Sequence, residues 1–313
     1  MGLLNGIAAA ISATRIAPPA PTGLVATEIN DGQINLTWDS ISGVDFYRIY
    51  YGTDGLTFAS TTISETNSKS ITSLIDGTIY YFFVTATWGS KEGQASPVVS
   101  CCTIPSKFLT ANVKAWYDFT DASLKTVSSG RVIQINDKSG NGYHLIAPNE
   151  AKRPYDLGIN GIQGQGGQFA SAGVTLPMGS YTSFLVGRID TFETAKILLQ
   201  NVISTNLSGE IHRIAQSGWN PIYAEVPADG IWFLVSSVVS ATITDILQIN
   251  NGTAISLPNN SNQTPILCVL GNANFTGYLY GALKMAIIID ESLAPTDVAK
   301  AKTYLNWKYE VFF

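Results

Sequence analysis

The chain has 313 residues, a formal charge of −5, and only 13% charged side chains against 45% hydrophobic ones, where a soluble domain averages about 25% charged. So much apolar material excludes a disordered tail. A duplex binder needs clustered Lys and Arg to neutralise phosphates, and no such cluster occurs, which argues against a nucleic-acid partner.

The first residues, Met1 to Arg15, are apolar and Ala-rich. They lack a basic leader, and Asn5 and Gly6 interrupt them, unlike a secretory signal. They are also shorter than the roughly 20 apolar residues that span a bilayer. Leu3, Leu4, Ile7 and Ile11 fall on one face of a short helix. Residues 1–17 are expected either to anchor the chain on a partner or another copy, or to fray. Ala17-Pro-Pro-Ala-Pro-Thr22 then reads as a stiff linker.

Beyond the linker, short β-rich runs alternate with turn residues. Leu24–Ile29 precedes Asn30-Asp31-Gly32, and Ile34, Leu36 and Trp38 alternate with polar neighbours as a half-buried strand. Asp45–Tyr51, Ser68–Ile71, Ile79–Trp88 and Ala95–Thr103 follow. The spacing predicts an antiparallel sandwich. Pro21-Thr-Gly23-Leu24, Trp38, Tyr47-Arg-Ile-Tyr50, and above all Leu74-x-x-Gly77-x-x-Tyr80-x-Phe82-x-Val84-x-Ala86 carry a resemblance. Residues 18–104 resemble a fibronectin type III domain. The resemblance implies a spacing or display module with Tyr80 as a corner tyrosine whose hydroxyl bonds back to upstream backbone. Arg-Gly-Asp, an adhesion tripeptide of that family, is absent.

Residues 105–313 form the second predicted domain. Val113–Phe119 opens it, and Val127–Asn136 leads into Asp137-Lys-Ser-Gly-Asn141-Gly142-Tyr143-His-Leu145, where Asn-Gly signals a hairpin. Strand-like runs continue over Gly161–Phe169, Thr182–Ile189, Ala195–Leu199, His212–Ala215, Ile222–Val226, Ile231–Val239, Ile243–Ile249, Ile266–Leu270 and Gly281–Ile289. They fit two large antiparallel sheets. One helix is expected, starting at Ala294-Pro295 and marked by Val298, Ala301, Tyr304, Leu305 and Lys308. Ala115-Trp116-Tyr-Asp118-Phe119, the 137–145 run, Arg153-Pro154, Gly281–Ile289 and the closing Tyr304-Leu-Asn-Trp307-Lys308-Tyr resemble concanavalin-A-like lectin or laminin-G-like jelly rolls of bacteriophage and bacterial surfaces. The fold class is therefore all-β: two sandwiches and a C-terminal helix. The legume lectins' metal-ligand run is missing, so no cofactor is expected and calcium is unsupported.

Three cysteines, Cys101, Cys102 and Cys268, with two histidines, make neither a closed disulfide framework nor a zinc site, and buried thiols are expected. No Gly-x-Ser-x-Gly, His-Glu-x-x-His or Gly-x-x-x-x-Gly-Lys pattern occurs, and the Glu-x-Asp-x-x-Glu of jelly-roll glycan hydrolases is missing. Glu210 and His212 read as a solvated pair, and no catalytic residue is nominated. Trp116, Trp232 and Trp307 read as core. A sugar site wants an aromatic platform plus amides and carboxylates. Trp219, Asn220 and Tyr223 form one such group, Asn272 and Asn274 a second, and Asp137, Asn141 and Tyr143 a third.

The resemblances imply a non-enzymatic bacteriophage surface protein: tail fibre, head fibre or capsid decoration. It would be homo-oligomeric, held on the virion by residues 1–17, and adhere to glycans by avidity rather than by one tight site. No membrane insertion is expected. The alternatives are an extracellular bacterial adhesin or a glycan hydrolase.

Overall fold

The computed structural model describes residues 16–30, 32–165, 170–175, 180–190, 196–199, 203–208, 211–216, 222–225, 230–239, 244–258, 266–269 and 280–311. Residues 1–15, Trp219, Asn220, Asn272 and Asn274 lie outside these. The chain divides into two compact units, one through Ser106 and one from Lys107.

The first unit contains β1 (Val25–Asn30), β2 (Gln33–Thr37), β3 (Phe46–Gly52), β4 (Ser60–Ser64), β5 (Ser68–Ile71), β6 (Ile79–Trp88), β7 (Lys91–Glu92) and β8 (Val99–Cys102). One sheet runs β1-β2-β5 and the other β4-β3-β6-β7, with β8 also on β6. Every second residue faces between them, as the pleat requires. Ile34 and Leu36 come from one sheet, and Ile49, Phe82, Val84 and Ala86 from the other, all at 0% exposure. Trp38 meets Tyr47 edge-on at 5.2 Å, also inside. The predicted runs match six of these strands, but β4 and the two-residue β7 have no predicted counterpart. The β4 sequence, Ser-Thr-Thr-Ile-Ser, buries none of its side chains and is held by its ladder to β3. The Tyr80 hydroxyl accepts the Ile75 N–H at 3.1 Å, closing the corner.

In the second unit β9 (Val113–Asp118), β10 (Lys125–Ser128), β11 (Arg131–Ile135), β12 (Leu145–Ile146), β13 (Tyr155–Asp156), β14 (Ile162–Gln165), β15 (Ala170–Thr175) and β16 (Tyr181–Ile189) come first. Then follow β17 (Lys196–Leu199), β18 (Ile203–Ser208), β19 (Ile211–Gln216), β20 (Ile222–Glu225), β21 (Trp232–Val239), β22 (Thr244–Ile249), β23 (Ile255–Pro258), β24 (Ile266–Val269) and β25 (Tyr280–Ile289). Helix α1 (Pro295–Tyr309) closes the chain, with proline in its first turn. The result is an all-β, sandwich-like unit with one C-terminal helix.

Strand β25 lies at its centre. One edge pairs with β16, which continues to β21, β22 and β23. The other edge is shared: β14 lies beside residues 280–283 and β9 beside 285–289. A second ladder runs from β10 through β11, β12, β15, β24 and β17 to β18, β19 and β20.

The main core lies between these layers. It joins Tyr117, Ile162, Leu185, Phe233, Val235, Leu283 and Ile288 to Val132, Ile135 and Leu145. The opposite face of β25, β16 and β9 is apolar too. There Phe108 packs on Trp116 at 5.5 Å, on Phe184 at 5.9 Å and on Tyr304 of α1 at 5.8 Å. Because both faces are covered, Gly281–Ile289 is one buried run, apolar but for Lys284.

Two expectations change here. Val127–Asn136 is a hairpin, not one strand, because Ser129 and Gly130 both take positive φ (51° and 71°) and reverse the chain between β10 and β11. Asn141-Gly142 is part of the longer connection 136–144 between β11 and β12, not a two-residue turn. Gly161 marks a close approach: φ is +90°, and a Cβ would sit 1.9 Å from the Leu283 carbonyl oxygen.

Candidate functional site

The predicted group Asp137, Asn141 and Tyr143 is the one whose side chains are all described. Asp137 is 7% exposed and acts as a hub. Its Oδ1 accepts the backbone N–H of Trp116 at 3.0 Å and of Ser139 at 2.9 Å. Its Oδ2 accepts the Ser139 hydroxyl at 2.7 Å and the Tyr143 N–H at 3.2 Å. The Asp137 N–H donates to His144 Nδ1 at 3.1 Å. Asn141 Nδ2 donates to the Val113 and Lys114 carbonyls at 2.9 and 3.1 Å, tying the loop tip to β9. The four bonds to the Asp137 carboxylate are charge-assisted, which are the strong ones.

The Tyr143 ring packs against the main core, and its carbonyl accepts the Tyr117 hydroxyl at 2.6 Å. Burial first, then the nearby Asp137 and Tyr143, push the Tyr117 hydroxyl well above its ordinary value, so it remains a donor. The loop is thus a pre-organised structure whose carboxylate faces inward. Exposed Lys138, Gly140, Asn141 and Gly142 are what it offers to solvent.

Tyr223 is on β20, and its side chain is outside the description. Trp219, Asn220, Asn272 and Asn274 are not described.

Two aromatic clusters went unpredicted. Trp232 is half-buried rather than core, with the Lys284 ammonium 4.7 Å and the Arg188 guanidinium 5.2 Å from its ring centre. Arg188 pairs with Asp190, Nε to Oδ1 at 2.6 Å and Nη2 to Oδ2 at 3.1 Å. Lys284 donates to the Tyr309 carbonyl at 2.8 Å, at the end of α1 where the helix carries partial negative charge. Burial lowers the Lys284 ammonium's affinity for its proton; Glu310 opposes this and Arg188 adds to it. The cluster fastens the end of α1 to the sheet. Trp307 is also half-buried, whereas Trp116 is core as expected.

On the outer face of β3 and β6 in the first unit, Tyr50 stacks on Phe83 at 4.7 Å and Phe58 meets Phe83 edge-on at 4.7 Å. The Tyr50 hydroxyl donates to Glu92 at 2.8 Å, and Arg48 lies 3.9 Å from the same carboxylate. The alternation of Tyr47 inward and Tyr50 outward was the available signal for this patch.

Among the described residues no group of three or more His, Cys, Asp or Glu could hold a metal ion, and no helix is long and apolar enough to cross a membrane. Cys101 and Cys102 are buried thiols. Burial, then the neighbouring Cys101 and Glu28, push Cys102 up to about 12.

The family model for the fibronectin type III domain matches residues 19–101. No curated protein matches the chain. Among solved structures, the FN5 domain of Drosophila Lar is 22% identical, covering 28% of this chain and 98% of that one, with a TM-score of 0.25. The crystal structure of FN3tt is 25% identical, covering 29% and 98%, with a TM-score of 0.26. The fn3 domain of human contactin 1 is 21% identical, covering 29% and 82%, with a TM-score of 0.26. The matched span runs from the proline linker into β8 and contains the Trp38 core and the Tyr80 corner: residues 19–101 are a fibronectin type III domain.

Proposed function

We propose that the chain is a non-enzymatic surface protein of a bacteriophage virion, a tail fibre, head fibre or capsid decoration. In this reading the fibronectin type III domain spaces and displays the second unit, a concanavalin-A-like jelly roll that adheres to host or environmental glycans. Residues 1–17 dock on other virion proteins, and copies of the chain assemble together.

The observation that carries the reading is the pairing of a fibronectin type III domain with a larger, wholly antiparallel sandwich-like unit. The second unit's motif order and its rigid 137–144 loop support the lectin-like part. Loops fixed on a stiff scaffold are where binding residues concentrate. Trp219, Asn220, Tyr223, Asn272 and Asn274 supply the sugar contacts, with Asn141 at the tip of the Asp137-held loop. Fold alone does not give function, so the test is direct. The purified chain on a glycan array gives a signal that Trp219→Ala abolishes while the circular dichroism spectrum is unchanged. A signal that survives the change removes Trp219 from the site. A blank array with the native chain overturns adhesion to glycans. Antibody-gold labelling of intact virions tests the location, and label on the bacterial envelope instead favours the adhesin.

A further inference from the structure

The two halves of α1 meet the sheet differently. Ala301, Tyr304 and Leu305 are fully buried against it. The preceding stripe, Pro295, Val298, Ala299 and Lys302, follows the i, i+3, i+4, i+7 spacing of one helix face. It stands over the cross-strand pairs Val238–Ile246 and Ser236–Gln248 of β21 and β22 without closing on them. The gap is an open groove of about 650 Å³, within the roughly 300–1,000 Å³ range of small-molecule sites. Its walls are mainly apolar, from Val238, Ile246, Leu293, Pro295, Val298 and Ala299.

Lys302 also lines this groove, and it is 8% exposed. An ammonium has three N–H donors and no acceptor. Lys302 Nζ donates to Gln248 Oε1 at 3.0 Å, and no described carboxylate is within ion-pair distance of it. Burial lowers its affinity for the proton, and among the described residues no opposing charge restores it. A buried cation without a counter-charge is costly, and an anion arriving in the groove relieves that cost.

We propose that this groove binds a single-chain amphiphile with a terminal carboxylate, the chain lying on the apolar walls and the carboxylate on the Lys302 ammonium. Charge complementarity sets the head group, and the apolar groove of about 650 Å³ between one helix face and two strands gives a single chain room to lie. The proposal stands apart from glycan adhesion and does not depend on it.

The test uses the full-length protein and decanoate, decan-1-ol and decyltrimethylammonium below their aggregation concentrations, by titration calorimetry. Decanoate binds about 10- to 100-fold more tightly than the alcohol, the worth of a hydrogen bond to a charged group, and the cationic amphiphile binds most weakly. Lys302→Met removes the preference for acid over alcohol, and Lys302→Arg keeps it. Ala299→Trp, at an exposed helix position that leaves the core untouched, fills the groove and weakens binding of acid and alcohol alike. Equal affinity for acid and alcohol overturns the proposal. So does binding unchanged by Ala299→Trp, or no binding of decanoate to the native protein.

Discussion

Tyr80 in the fibronectin type III domain and Asp137 in the second unit both pin a loop to a sheet, with different chemistry. Tyr80 uses one neutral hydroxyl to hold one backbone N–H, that of Ile75. Isoleucine 75 is itself 64% exposed, so water can replace the tyrosine there. Asp137 gathers four donors onto one carboxylate beneath a long connection, and Trp116, whose N–H it receives, is 4% exposed. A small sandwich with short turns needs only a local latch. A larger one with long loops concentrates its polar anchoring in a buried charge, and so makes one position critical.

The comparison can be broken most directly at the hub. Asp137→Ala strands the Trp116, Ser139 and Tyr143 N–H groups and is expected to lower stability by about 3 kcal/mol or more. The loss should appear in the second unit's calorimetric transition alone. Asp137→Asn keeps the shape and some of the bonds, and should cost less. Tyr80→Phe should cost about 1 kcal/mol, confined to the first unit's transition. Should Asp137→Ala prove no more costly than Tyr80→Phe, the contrast between hub and latch fails.

An exposed ion pair sharpens the point that burial, not charge alone, makes the hub strong. Lys107 Nζ and Glu291 Oε1 are 2.6 Å apart, yet their side chains are 29% and 32% exposed. The Lys107 hydrogen bond holds Glu291 below its ordinary value of 4.5, while partial burial opposes it. A carboxyl held low contributes stability above its unfolded value and loses it as pH falls through the folded one. Lys107→Ala should therefore cost at most about 1 kcal/mol at neutral pH. The difference from the native chain should fade in acid denaturation series below pH 4.5.

The smallest effect is an expected silence. With its thiol pushed up to about 12, Cys102 should resist disulfide-exchange reagents at pH 8 until the first unit unfolds. Rapid labelling of the native chain at this position would mean that β8 opens far more readily than its ladder to β6 implies.

Much of the first domain was legible in the sequence because its strands alternate and its turns carry glycine. Ile34, Leu36 and Trp38 could be assigned inward from spacing alone, and Tyr80 from its motif. Strand β4 could not, because only Ile63 in it is apolar and that residue is 52% exposed. In the second unit the covered faces of β25 and the start of α1 were readable. The roles of polar residues were not. Asp137 looks the same in sequence whether it faces a sugar or three backbone amides, and only tertiary pairing decides. Trp232 read as core because it opens an apolar strand. The two cations that sit over it come from β16 and β25, contacts that no local pattern records. The groove under α1 was equally hidden, since Lys302 in sequence is one more lysine on a helix.

Strand β25 has a consequence for the order in which the chain can fold. It is the last strand in sequence and the middle one in space, pairing with β9, β14 and β16. The fibronectin type III domain has all its partners as soon as β8 is made. The second unit has no centre until residues 280–289 emerge, so β9, β14 and β16 each wait with an edge unpaired. Such distant pairing slows folding and lengthens exposure to aggregation. A chain interrupted between β8 and β25 therefore yields a finished first domain joined to an unfinished, adhesive remainder.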